Sequence, residues 1–154
     1  MNLSKEDLQL LLERAWEVEK YFESLGSWKG YISVNSGFRK MLLPLLLDSE
    51  KHRIQLEQVM TALNFPIPTT ASNMVFHFQD KYDSEVLTEI AKQEELARDL
   101  YTSIVENTAP ALIEALTKTN DATVFYQPLY QMIKDEKRHL ELLRTITPTI
   151  TRIK

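Results

Sequence analysis

All three glycines of the chain, Gly26, Gly30 and Gly37, fall in one short stretch, and none follows Gly37 in a sequence of 154 residues. No phosphate-cradling glycine loop or dinucleotide-binding turn can be written into such a chain, so a nucleotide cofactor is not expected. Long helices fit instead, because Leu, Glu and Lys fill the glycine-free part and glycine is the commonest helix breaker after proline. There is no cysteine. That excludes a disulfide scaffold, thiol catalysis and any cysteine-held zinc or iron–sulfur centre. A net charge of −4 argues against nucleic acid as a partner. The N-terminal residues MNLSKEDL are no apolar leader, and Met41–Leu47 is too short to span a bilayer, so a cytoplasmic protein with no membrane partner is expected.

Hydrophobic periodicity divides the chain 1–154, read as a single domain, into four long helices, at about 4–25, 38–63, 84–107 and 121–146. The first opens on Ser4 and Asp7 in capping-box spacing and carries the stripe Leu8, Leu11, Ala15, Val18, Phe22, Leu25. Residues 26–37 read as a loop, in which Trp28 and Tyr31 are candidates for a partner contact. The second stripe is Phe38, Leu42, Leu45, Ser49, His52, Leu56, Val59, Leu63, with Pro44 marking a kink or a helix start. Residues 64–83 form a long connection with an apolar patch at Met74–Phe78, where His77 could reach a site as part of a lid. The third stripe is Leu87, Ile90, Glu94, Ala97, Tyr101, Ile104. A short helix after Pro110 leads to the fourth, Phe125, Leu129, Met132, Glu136, His139, Leu143, with Pro128 as another kink or start. The tail 147–154 is β-branched. The fold class is all-α, a four-helix bundle in which the long second connection lets helices two and three run parallel.

Polar residues interrupt three of the four stripes. Ser49 and His52 stand where leucines are expected on the second helix, Glu94 on the third, and Glu136 and His139 on the fourth. Inside a bundle such groups cost several kcal/mol unless paired or bound to metal. Glu136 and His139 project from one helix face and can share an ion. The first helix has no such interruption. An internal repeat sets Asp48-Ser49-Glu50-Lys51-His52 against Asp135-Glu136-Lys137-Arg138-His139, so Ser49 stands where the second half has Glu136.

A Glu on one helix followed by Asp-Glu-x-x-His on the next, with Tyr101 seven residues after Glu94, resembles the ferritin-like di-iron carboxylate proteins, most of all the rubrerythrin branch, over about residues 4–147. The resemblance implies Glu94 as a terminal ligand, Glu136 as a bridging carboxylate, and His139 and His52 as imidazole ligands. Ser49 and Tyr101 would stand behind them. It implies iron, or manganese or zinc, and oxidoreductase chemistry on iron, peroxide or dioxygen.

The first-half carboxylates look lost, with Arg14, or Ala15 and Val18 beside it, in the terminal ligand's place. This leaves three outcomes open: a single ion, a degenerate two-ion site completed by off-register acids such as Glu13, Glu17 or Asp48, or a bundle without metal serving as a binding or structural module. An external electron donor is expected, since no cysteine-bound iron domain is present, and a homodimer is expected from the apolar connection and tail. The charged run Lys134–Arg144 reads as a solvated face with alternating signs.

Overall fold

The computed structural model describes residues 2–25, 36–69 and 83–146. The expectations for Trp28, Tyr31, His77, the Met74–Phe78 patch and the tail fall outside them. The described residues form five helices and no strand: α1 (Lys5–Leu25), α2 (Ser36–Ala62), α3 (Asp83–Asn107), the short α4 (Pro110–Thr117) and α5 (Thr123–Ile146). None is long and apolar enough to cross a membrane.

Local chemistry sets the helix ends. The Ser4 hydroxyl accepts from the Asp7 amide at 3.1 Å, an N-cap that satisfies one of the free donors of the first turn. Asn64 and Lys118 take left-handed φ of 61° and 59° just past α2 and α4, and the Asn64 amide donates to the Leu116 carbonyl at 3.0 Å. Pro44 and Pro128 lie inside α2 and α5 rather than at their starts.

Packing is strongest between α1 and α2 and between α3 and α5, with α1 on α3 and α2 on α5 completing the arrangement. Trp16 donates to Glu57 at 3.3 Å, and Arg53 pairs with both Glu57 and Glu23, so α1 and α2 run antiparallel. Tyr126 donates to the Thr108 carbonyl at 2.6 Å and His139 meets Glu94, so α3 and α5 are antiparallel as well. The core is continuous and contains Leu8, Leu12, Leu56, Met60, Leu87, Ile104, Phe125 and Leu129, all fully buried. Halfway along it the apolar layers give way to a band of charged side chains.

Candidate metal centre

Among the described residues eight buried polar or charged side chains interrupt the core, and seven of them, Glu19, Ser49, His52, Glu94, Asp135, Glu136 and His139, come from the central turns of α1, α2, α3 and α5. They include Glu94, Glu136, His139 and His52, the four residues expected from the sequence as ligands, and Ser49 beside them. Within this band two groups could each hold an ion: Glu19, His52 and Glu136, and Glu94, Glu136 and His139. In each, the ligand atoms lie within 4.8 Å of one another. Glu136 belongs to both.

The Glu136 carboxylate has one oxygen toward each group. Its Oε1 lies 3.0 Å from Nδ1 of His52, and its Oε2 lies 3.8 Å from Nδ1 of His139. Glu19 Oε1 approaches the same His52 nitrogen at 3.4 Å, and Glu94 Oε2 approaches the His139 nitrogen at 3.2 Å. The two imidazoles face each other with centroids 6.3 Å apart.

The outward nitrogens are held reciprocally. His52 Nε2 lies 2.9 Å from Asp135 of α5, and His139 Nε2 lies 2.7 Å from Asp48 of α2. Each Asp stands four residues before the histidine of its own helix and grips the histidine of the other. A carboxylate on Nε2 holds the proton there and turns the Nδ1 lone pair inward, which is how ligating histidines are oriented. Arg138 braces both acids, at 3.1 Å from Asp48 and 3.4 Å from Asp135. Asp135 is further held by Gln131 at 3.0 Å. Burial works to raise the Asp135 pKa, but His52 and Gln131 outweigh it and set it below the usual carboxylate value. Replacing Asp48 or Asp135 by Asn is expected to weaken metal binding by about 10–100-fold without loss of helix, since only the orienting charge is removed. Competition against a fluorescent chelator measures it.

Glu19 corrects the sequence reading. The buried face of α1 takes in Leu8, Leu12, Ala15, Val18, Glu19 and Phe22, with Leu11 half-buried against it, and Glu19 is 1% exposed. The first helix therefore does carry an inward carboxylate. Arg14 is exposed and pairs with Glu17 at 3.2 Å, so neither takes the position. The Tyr101 hydroxyl donates to Glu19 across the core. Burial and the Glu19 charge raise the Tyr101 pKa well above 10, so it remains a donor. Asp48 is not a candidate ligand to either group; it holds His139 from outside.

Four buried side-chain atoms among the described residues have no hydrogen-bond partner: Glu19 Oε2, His52 Nδ1, Glu136 Oε2 and Gln55 Oε1. Three of the four are atoms of Glu19, His52 and Glu136, the residues of one triad. His52 Nδ1 is close to two carboxylates, but neither contact is aligned as a hydrogen bond. An orphaned buried polar atom costs about 1–3 kcal/mol, and native interiors rarely tolerate several in one place. Glu19 Oε2 and His52 Nδ1 belong to the first group, whereas Glu136 Oε2 is turned to His139 and the second, so a cation in each group would remove the cost. Carboxylate oxygen with imidazole nitrogen is also a donor set suited to Fe(II), Mn(II) or Zn(II).

Without a cation, the histidines themselves take up the positive charge. Burial lowers the proton affinity of His52, yet Glu136 and Glu19 outweigh it and lift its pKa from 6.5 to about 11. His139 is raised in the same way, burial being overcome by Glu136 and Asp48. Glu19 is raised by its burial, against the pull of His52.

No family model matches the chain, and no curated protein or solved structure is similar enough to match it. The side chains and their geometry carry the functional reading.

Proposed function

We propose that the chain is a ferritin-like, rubrerythrin-like protein that holds two metal ions, with iron as the ion of its chemistry, at a site bridged by Glu136. One observation carries this reading: the Glu136 carboxylate turns one oxygen to His52 and the other to His139, so two donor groups share it. His52 and Glu19 would hold one ion, and Glu94 and His139 the other. The helix directions support the ferritin-like bundle. Antiparallel α1/α2 and α3/α5 pairs, joined by antiparallel contacts of α2 with α5, leave α2 and α3 running the same way. Such a pair requires a long crossover, and residues 63–82 connect them.

The chain departs from the full ligand pattern at one position. Ser49, 4% exposed, holds the place of a second bridging carboxylate. Glu19, Glu94 and Glu136 then leave two dications with an excess of positive charge, which favours a small anionic or oxygen ligand on the Ser49 side. Iron there supplies a redox centre and a Lewis acid. The protein's part is to fix both imidazoles through Asp48 and Asp135 and to keep the site dry between apolar layers. Peroxide or dioxygen is the substrate class this serves, as an oxidoreductase supplied with electrons from outside.

A second reading has one observation in its favour. Glu94 and His139 make a direct 3.2 Å hydrogen bond, as in a bundle that keeps its histidines as cations without metal. The orphaned atoms of the Glu19 triad argue against it.

Metal analysis after purification without chelators, followed by anaerobic Fe(II) titration, separates the readings. The expected endpoint is two ions per chain, with faster peroxide removal than the same iron free in buffer. Substoichiometric metal and no saturable Fe(II) binding would leave the metal-free bundle.

A further inference from the structure

The charged run Lys134–Arg144 of α5 is not an alternating solvated face. Apart from the exposed Glu141, its signs are sorted: Asp135 and Glu136 point inward, at 1% and 2% exposure, while Lys134, Lys137, Arg138 and Arg144 are exposed. A single helical stripe about 15 Å long thus presents four cations. Arg98 of α3 approaches from the other side, and the two helices enclose a groove of about 460 Å³ lined by these five cations, Leu140 and a single carboxylate, Glu141.

This local excess of positive charge occurs in a chain whose net charge is −4. Part of it is neutralised, because Arg98 pairs with Asp99 and Glu95, and Arg138 with Asp48 and Asp135. Lys134, Lys137 and Arg144 form no ion pair among the described residues, although self-repulsion along one helix face is unfavourable. Cations clustered without partners in a concave surface raise the local concentration of anions.

We propose that the groove between α3 and α5 binds a compact polyanion, a polyphosphate or a polycarboxylate, through Lys134, Lys137 and Arg144 with Arg98 and Arg138 at its sides. Its volume falls in the range of about 300–1,000 Å³ that small-molecule sites occupy. Among the described residues the lining has no aromatic ring to stack a base, which disfavours a nucleotide or single-stranded nucleic acid. The convergence of two helices favours a compact anion over an extended acidic chain. This inference does not depend on the metal reading.

Calorimetric titration of the chelator-stripped, full-length chain with sodium triphosphate and, separately, with citrate tests it. Saturable one-to-one binding is expected for at least one, weakening as salt rises from about 50 to about 200 mM. The stronger of the two identifies polyphosphate or polycarboxylate as the source. The combined variant Lys134→Gln, Lys137→Gln, Arg144→Gln is expected to weaken that binding by tenfold or more with unchanged helicity, as all three are exposed. Arg138 is left in place because it braces Asp48 and Asp135. No saturable binding of either anion, or equal binding by the variant, overturns the proposal. So does binding of an acidic dodecapeptide in place of both small anions, since that would make the face an extended protein-docking surface.

Discussion

Replacing Glu136 by Gln is expected to abolish the binding of both ions at once. Glu136 is the one side chain common to the two donor groups, and the amide supplies a single neutral oxygen where the carboxylate offers two anionic ones. Glu19→Gln and Glu94→Gln remove a ligand from one group each. They are expected to leave one ion bound and to weaken or lose the other. The loss at Glu136 should exceed the roughly 10–100-fold typical of an orienting partner. Equilibrium metal titration of the three variants, with helicity as a control, gives the pattern two lost, one lost, one lost. Equal, small losses in all three would mean that Glu136 does not bridge.

That arrangement was only partly legible in the sequence. His52, Glu94, Glu136 and His139 could be found because each breaks an apolar stripe, and all four are buried in one band of the core. Glu19 was missed because the buried face of α1 is wider than one stripe. The apolar line through Ala15, Val18 and Phe22 is buried, and Leu12 and Glu19 are buried beside it. A periodicity argument prefers the apolar line, yet a buried ligand is where the apolar line is broken. The repeat displayed Asp48 and Asp135 at matching places, but their role depends on tertiary pairing. Each holds a histidine more than 80 residues away in sequence. In the run Lys134–Arg144, alternation along the sequence concealed a sorting of charge between the two faces of a helix.

The second large effect concerns pH and has opposite signs with and without metal. In the metal-free protein His52 keeps its proton up to about pH 11, and His139 is raised in the same direction. An unfolded histidine loses its proton near 6.5. A group with a raised folded pKa stabilises fully below the unfolded pKa and loses that contribution as pH climbs through the folded value. The metal-free chain should therefore become less stable between pH 7 and 10, by up to about 1.4 kcal/mol per pH unit for His52 alone. Glu19, raised by burial, has the same sign at lower pH. Metal binding reverses the dependence, because an ion at Nδ1 displaces the proton held there. Affinity should rise with pH, and protons should be released as metal binds. Urea unfolding with chelator at pH 7 and 9, beside proton release on Fe(II) addition, measures both. Stability that rises with pH in the metal-free chain would remove the charged-histidine account of this core.

In the proposed function one carboxylate, Glu136, bridges two metal ions between His52 and His139. Anomalous diffraction from crystals of the manganese- or iron-loaded chain reveals whether it does. Two peaks are expected, one enclosed by Glu19, His52 and Glu136 and the other by Glu94, Glu136 and His139, with the Glu136 carboxylate between them. A single peak without Glu136 as a ligand, or fully loaded crystals with no peak in this band of the core, would contradict the account.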